Sequence, residues 1–297
     1  MNTESIPPIQ TSSPTPATRA PGAAPDWQIL VNDVTCPMCD YNLRGLSDPV
    51  CPECGYRFEW ADVTNPARRL HPYLFEHHPE RNLRSFAQTL LNHLHPVGFW
   101  RLVNPAQPSR PGRIVIYWAL YAAATLLPAA MGIIAWLRYQ TLFLRLRGIP
   151  AQPFSLFRQP WAHDAFVRML LIACVIWAVY PWLSFLTLMV FRQSMRRVRV
   201  KTSHVLRCAL YCGDVMFWNA LWAAGVIAWY VVQGQLRRTH DLAALLIAGT
   251  LVAGALNVTR LAIAYRLYMR FDRALATVIT SQTIVVLGLL AALIYLL

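Results

Sequence analysis

An all-α polytopic membrane helix bundle of about five spans, headed by a small cysteine-bearing module, is the fold class this sequence predicts. Three observations predict it. Hydrophobic residues make up 56% of the 297 and charged residues only 14%, where a soluble chain carries about 25% charged residues. Apolar runs long enough to cross a bilayer recur after residue 113. Four cysteines near the N-terminus fall in two close pairs. The charges are also divided. Residues 1–80 hold ten of the fourteen acids against five Arg, while residues 81–297 hold four acids against twenty-one Arg and one Lys. An acidic head thus precedes a basic, apolar body, which excludes a disordered chain, a secreted disulfide scaffold and an ordinary soluble enzyme.

Residues 1–25 contain six prolines among Thr, Ser and Ala. With no apolar run to offset ordering entropy, they read as a disordered tail. No basic start followed by an apolar stretch marks a secretory signal, so the N-terminus is expected in the cytosol.

Residues 26–62 form the cysteine module, in which Cys36, Cys39, Cys51 and Cys54 are spaced C-x2-C-x11-C-x2-C. Two such pairs turn four thiolates inward on one tetrahedral ion, the closed geometry of structural zinc. The module is therefore expected to be a small zinc ribbon with these four cysteines as its metal ligands. Iron in a rubredoxin-like site is the alternative, since ligand type alone does not separate the two. Each C-P-x-C turn is a knuckle, and the residue after its second Cys, Asp40 or Gly55, tolerates positive φ. Two disulfides would need an oxidising compartment, against which the missing signal and the charge bias both speak. Four sulfurs leave no open coordination position, so the metal is expected to be structural. A module this small has little core, and ion binding is then much of its folding free energy.

The string Cys39-x-YNLRGL, followed by CPECG-Y-x-F from Cys51, resembles bacterial zinc-ribbon proteins whose ribbon is tethered ahead of a multi-span membrane domain, a group without an assigned function. The body is loosely similar to Yip1-type membrane proteins. The resemblance implies metal binding at the four cysteines and a membrane location, and it supplies no reaction.

Residues 63–112 form a connector rich in His, Pro and Arg. Leu83, Phe86, Ala87, Leu90, Leu91 and Leu94 recur at helical spacing after Pro79, which predicts one amphipathic helix. It either lies in the membrane interface, anchored by Phe99 and Trp100, or packs on the module or the bundle. His71, His77, His78, His93 and His95 lack carboxylate or cysteine partners at metal spacing. They read as interfacial or solvent-facing, with a second metal site or a pH sensor as rivals.

Residues 113–297 are the bundle. Runs at about 114–137, 169–191, 209–232, 242–265 and 274–297 each exceed the roughly 20 helical residues that span hydrocarbon, and lipid permits such continuous runs only as helices. Four or six spans are the neighbouring counts. Pro128 and Pro181 should kink the first two. With a cytosolic N-terminus, thirteen Arg and Lys fall on the inner side and seven on the outer, as the positive-inside bias requires. The predicted location is a bacterial inner (cell) membrane, with the bilayer itself a partner. Phe154, Leu156, Phe157 and Trp161 suggest that the first outer loop lies on the interface. Trp118, Trp136, Trp182, Trp218, Trp222 and Trp229 are candidates for aromatic belts.

Asp214 is the most informative residue of the body, because an ionisable group within a span usually has a partner or a task. It is either an interfacial residue paired with an Arg or part of a substrate or proton path, with Asn219, Asn257 or Arg260 beside it. His204, Cys208 and Cys212 lie near one helix face, a poor tetrahedral set. Cys174 reads as a small apolar side chain. The run from Arg192 to Arg207, with six cations and no acid, suits anionic lipid better than its rival, nucleic acid. Gly249 and Ala253 permit close helix approach, either within the chain or in a homo-oligomer. Asn257, Ser281, Gln282 and Thr283 are expected to bond between helices.

No nucleophile and base pattern, Walker loop, dinucleotide fingerprint or zincin helix appears. The sequence therefore leans away from an enzyme and toward a binding or scaffolding module that recruits a protein partner through its ribbon. The alternative is a transporter or intramembrane enzyme with its polar site around Asp214.

Overall fold

The computed structural model describes residues 24–28, 30, 33–148, 165–191, 200–233, 239–271 and 273–296. The expected Pro-rich tail falls almost wholly outside them, as do the aromatic outer loop and residues 192–199 of the basic run. Among the described residues no strand forms; β pairing is limited to two isolated antiparallel bridges, Thr35 with Asn42 and Val50 with Arg57.

Three short helices follow the ribbon: α1 (Trp60–Thr64), α2 (Asn82–Asn92) and α3 (Pro96–Leu102). The body comprises α4 (Pro111–Leu146), α5 (Ala165–Val190), α6 (Thr202–Cys212), α7 (Val215–Val232), α8 (Thr239–Leu267) and α9 (Ala274–Leu296). Pro96 and Pro111 open α3 and α4, where a missing N–H costs nothing. Five segments are long and apolar enough to span a membrane: Pro111–Ile134, Leu171–Val190, Thr202–Val232, Asp241–Leu267 and Ala274–Ala292. They match the five expected runs, although α4 continues past its apolar part to Leu146.

The third span is two helices. The chain turns at Gly213 and Asp214, against Pro181 of α5: a Cβ on Gly213 would lie 2.7 Å from both a Pro181 ring carbon and the Tyr121 hydroxyl. No side chain but hydrogen fits there. Likewise Gly249 of α8 receives the Trp222 indole of α7, whose ring would stand 2.7 Å or less from a Cβ. Close approach at Gly249 is thus used within the chain.

One continuous buried core joins ribbon, connector and bundle: Met38, Leu43 and Phe58 of the ribbon and Phe75, Phe99 and Trp100 of the connector share it with Tyr117, Tyr211, Tyr265 and Tyr268. Phe99 and Trp100 are therefore not interfacial anchors, each being 1% exposed. The α2 helix packs on the bundle as one expectation had it: Ser85, Thr89 and Leu90 are buried and the Phe86 ring lies 5.3 Å from Tyr117, while Leu83, Leu91 and, beyond its end, Leu94 are exposed.

Candidate functional site

The two ribbon knuckles repeat one backbone pattern. Cys36 N donates to Tyr41 O and Asp40 N returns to Cys36 O; Cys51 N donates to Tyr56 O and Gly55 N returns to Cys51 O. Asp40 and Gly55 take φ of 66° and 68°, the left-handed region foreseen for them. The effect is to gather four thiols whose sulfurs all lie within 4.8 Å of one another. The separations of 3.6 Å for Cys36 to Cys54 and 3.5 Å for Cys39 to Cys51 far exceed a disulfide bond of about 2.05 Å. They are close to the edge of about 3.8 Å expected for sulfurs 2.3 Å from a tetrahedral ion. The donors share charge poorly by themselves. The bond from Cys54 holds the Cys36 thiol down to about 5, while burial pushes Cys39 up to about 12 and the Cys36 contact pushes Cys54 up. A cation at the centre is what would let all four act as thiolates. The set thus fits a tetrahedral metal in size, number and chemistry.

The ribbon is fastened to the bundle by polar contacts at its first knuckle. Lys201 N donates to Met38 O at 3.0 Å and the Lys201 ammonium lies 2.6 Å from the Asp40 carboxylate. His204 Nε2 donates to Pro37 O at 2.9 Å and its Nδ1 accepts from the Tyr268 hydroxyl at 2.6 Å. At the second knuckle Arg270 reaches Arg57 O at 2.6 Å and its guanidinium lies over the Tyr56 ring. Lys201, just before α6, and Arg270, just after α8, therefore both meet the ribbon. Asn42, Arg44, Asp48, Val50 and Pro52 of the ribbon remain exposed.

Beneath this contact lie two buried ion-pair networks. In the first, Arg207 Nε lies 2.8 Å from Glu76 Oε1, both side chains fully buried. Arg207 also donates to Tyr268 OH and Pro108 O, and Glu76 Oε2 accepts from Arg110 N. Arg207, Tyr268 and His204 consequently form an unbroken chain of hydrogen bonds to the Pro37 carbonyl in the first knuckle. The second network centres on Asp214. Its Oδ2 accepts from His93 Nδ1 at 2.9 Å and Tyr117 OH at 2.8 Å, and its Oδ1 from Arg260 at 2.7 Å. Both networks tie the connector to the spans.

Several expectations need correction. Asp214 is paired with Arg260, but it is fully buried and does not face the interface. Asn219 bonds Thr250 instead, and Asn257, though buried, leaves its Oδ1 without a partner. His71, His77 and His93 are not solvent-facing; all three are buried, and His77 bridges His71 N and Pro108 O. Burial keeps two of them neutral, lowering His71 to about 3 and His77 as well. Arg207 is not a lipid-facing cation, and Lys201 is engaged by Asp40. Among the described residues the four ribbon cysteines are the one His, Cys, Asp and Glu grouping tight enough for an ion, so His204, Cys208 and Cys212 form no second site. Cys174 is buried, as a small apolar side chain should be. Ser281 does bond across helices to Thr187 and Gln282 to Tyr180, but Thr283 bonds Ile279 O in its own helix.

Glu76 and Tyr117 are site residues that sequence reasoning missed, as it missed the pairing of His93 with Asp214. Proline on both sides of the His-rich segment marked it as irregular, and only its fold shows that it is packed against the spans. Comparisons with protein-family models, curated proteins and solved structures find no match for this chain.

Proposed function

We propose that this protein is a membrane-embedded docking module: a zinc ribbon, held on the cytosolic face of an inner membrane by a five-span bundle, that recruits a protein partner. The observation that carries the reading is the fastening of both knuckles to the spans by Lys201, His204 and Arg270 while Asn42, Asp48, Val50 and Pro52 of the ribbon stay exposed. A ribbon meant only to cap the bundle has no need of an exposed side that holds its shape. The metal at Cys36, Cys39, Cys51 and Cys54 is structural, because four sulfurs leave no position for water or substrate. Zinc suits a site with no redox task. The orientation is supported by Lys201 and Arg270, cations of two inter-span turns, meeting the ribbon. Membership of the tethered-ribbon group is part of the same proposal.

Capture and crosslinking with the full chain in detergent tests this. Val50, 37% exposed, is replaced in Val50→Asp, and the knuckle is broken in Cys51→Ser with Cys54→Ser. A partner held by the wild-type chain should be lost from both variants while the spans stay inserted. Retention by both would sink the reading.

A second reading is favoured by one observation. His93 donates from Nδ1 to Asp214, and its buried Nε2 has no partner. An acid, an imidazole and an unpartnered nitrogen are the parts of a proton-handling site within the bundle. Proton flux in proteoliposomes that vanishes in Asp214→Asn and survives Val50→Asp would select a transporter over a docking module.

A further inference from the structure

Away from the ribbon, α5, α8 and α9 enclose a groove of about 480 Å³ that opens sideways between the spans. Its rim is exposed at Leu251, Ile279 and Leu287, so its mouth faces the hydrocarbon and not water. No charged side chain lines it. Gln282 lines the groove and is only 3% exposed. Its Oε1 accepts from the Tyr180 and Ser184 hydroxyls at 2.5 and 3.3 Å, which leaves the amide Nε2 with N–H donors and no acceptor.

The depth of that donor decides what can satisfy it. Gln282 lies eight residues into the span Ala274–Ala292, about 12 Å from its start at 1.5 Å per residue. Tyr180 is likewise near the middle of Leu171–Val190. Water is scarce at that level and an unpaired donor is costly there. A phospholipid keeps its ester carbonyls at the membrane surface, out of reach. Ions are unsuited to a groove without charge.

We infer that this groove is a binding site for an uncharged long-chain lipid that carries a carbonyl within the hydrocarbon, the Gln282 amide donating to that oxygen and the tail lying along α8 and α9. A quinone ring and a neutral acyl ester share this chemistry. Gly254 forms part of the floor, and a Cβ there would meet nothing within 4 Å, so the space beside it is open to the ligand.

The test uses the full chain in nanodiscs of synthetic phosphatidylcholine, with decyl-benzoquinone, methyl palmitate and carbonyl-free decylbenzene as probes. Binding is read by thermal stabilisation, and the hydrogen bond by a downward shift of the probe's infrared carbonyl band. One carbonyl probe should bind with the band shift and decylbenzene should not; which probe binds identifies the source. Gln282→Leu should weaken that binding at least tenfold and abolish the band shift. Gly254→Leu, which fills the groove and leaves the amide in place, should also weaken it tenfold and keeps the test valid if the first variant folds poorly. Equal binding of decylbenzene, no binding of either carbonyl probe, or unchanged affinity in both variants would overturn the inference.

Discussion

Arg260 places one guanidinium nitrogen 2.7 Å from Asp214 Oδ1, joining the fourth span to the turn in the third at a point where the acid has no exposure. Removing one member of a buried pair leaves an uncompensated charge and costs about 3–5 kcal/mol, whereas replacing both by apolar groups can be neutral. Arg260→Met should therefore be strongly destabilising in detergent melts. Asp214→Leu with Arg260→Met should recover most of the loss. A double variant as unstable as the single one would show that the pair is not the reason.

At Gly213 the obstacle is steric. The added Cβ of Gly213→Ala would press on Pro181 and on the Tyr121 hydroxyl, which donates to Leu210 O. Overpacking of this kind costs about 1–3 kcal/mol. Gly225, where an added Cβ would meet nothing within 4 Å, serves as the control: Gly225→Ala should leave the melting temperature unchanged or raised, and equal effects at both sites would refute the close fit.

The neutral histidines of the connector give stability a pH dependence. His71 is held down to about 3 chiefly by burial, with the Arg207 guanidinium nearby adding to it, against an ordinary value of 6.5, and His77 is lowered too. Because the folded values lie below the unfolded ones, the unfolded chain takes up protons first. Stability is complete above about pH 6.5 and falls toward pH 3, at about 1.4 kcal/mol per pH unit for His71. Melts between pH 7.5 and 5 should show this slope, and His71→Phe should flatten it. A profile that stays level in the native chain would contradict the burial.

The knuckles make a paired prediction about the metal. Asp40 sits at φ 66°, where a β-branched side chain is strained and glycine is not. Asp40→Val should lower metal retention against a chelator several-fold, and Asp40→Gly should retain the ion despite losing the contact with Lys201. Elemental analysis of both proteins after dialysis provides the readout. Equal retention in the two would mean that the backbone conformation is not limiting.

The spans and knuckles were legible because each is written locally: a run of apolar side chains fixes a helix in lipid, and paired cysteines fix a turn. The networks were not, because their members meet only in the fold. His93 and Asp214 are 121 positions apart, and neither helical periodicity nor spacing relates them. Composition also misled at Arg207, where a cation-rich segment read as lipid-facing contains a guanidinium enclosed by Glu76, Tyr268 and Pro108 O. Asp214 stood out as an acid near a span, which identified the right place and one of its three partners.

The order of these partners along the chain bears on how the protein is made. His93 and Tyr117 are synthesised before Asp214, but Arg260 follows it by 46 residues, an interval of about 2–9 s at 5–20 residues per second. During that delay the nascent third segment offers its acid only an imidazole and a phenol. Entry of the third and fourth segments into the bilayer as one hairpin removes the delay's penalty. A ribosome product ending between them would leave the Asp214 carboxylate without its guanidinium partner.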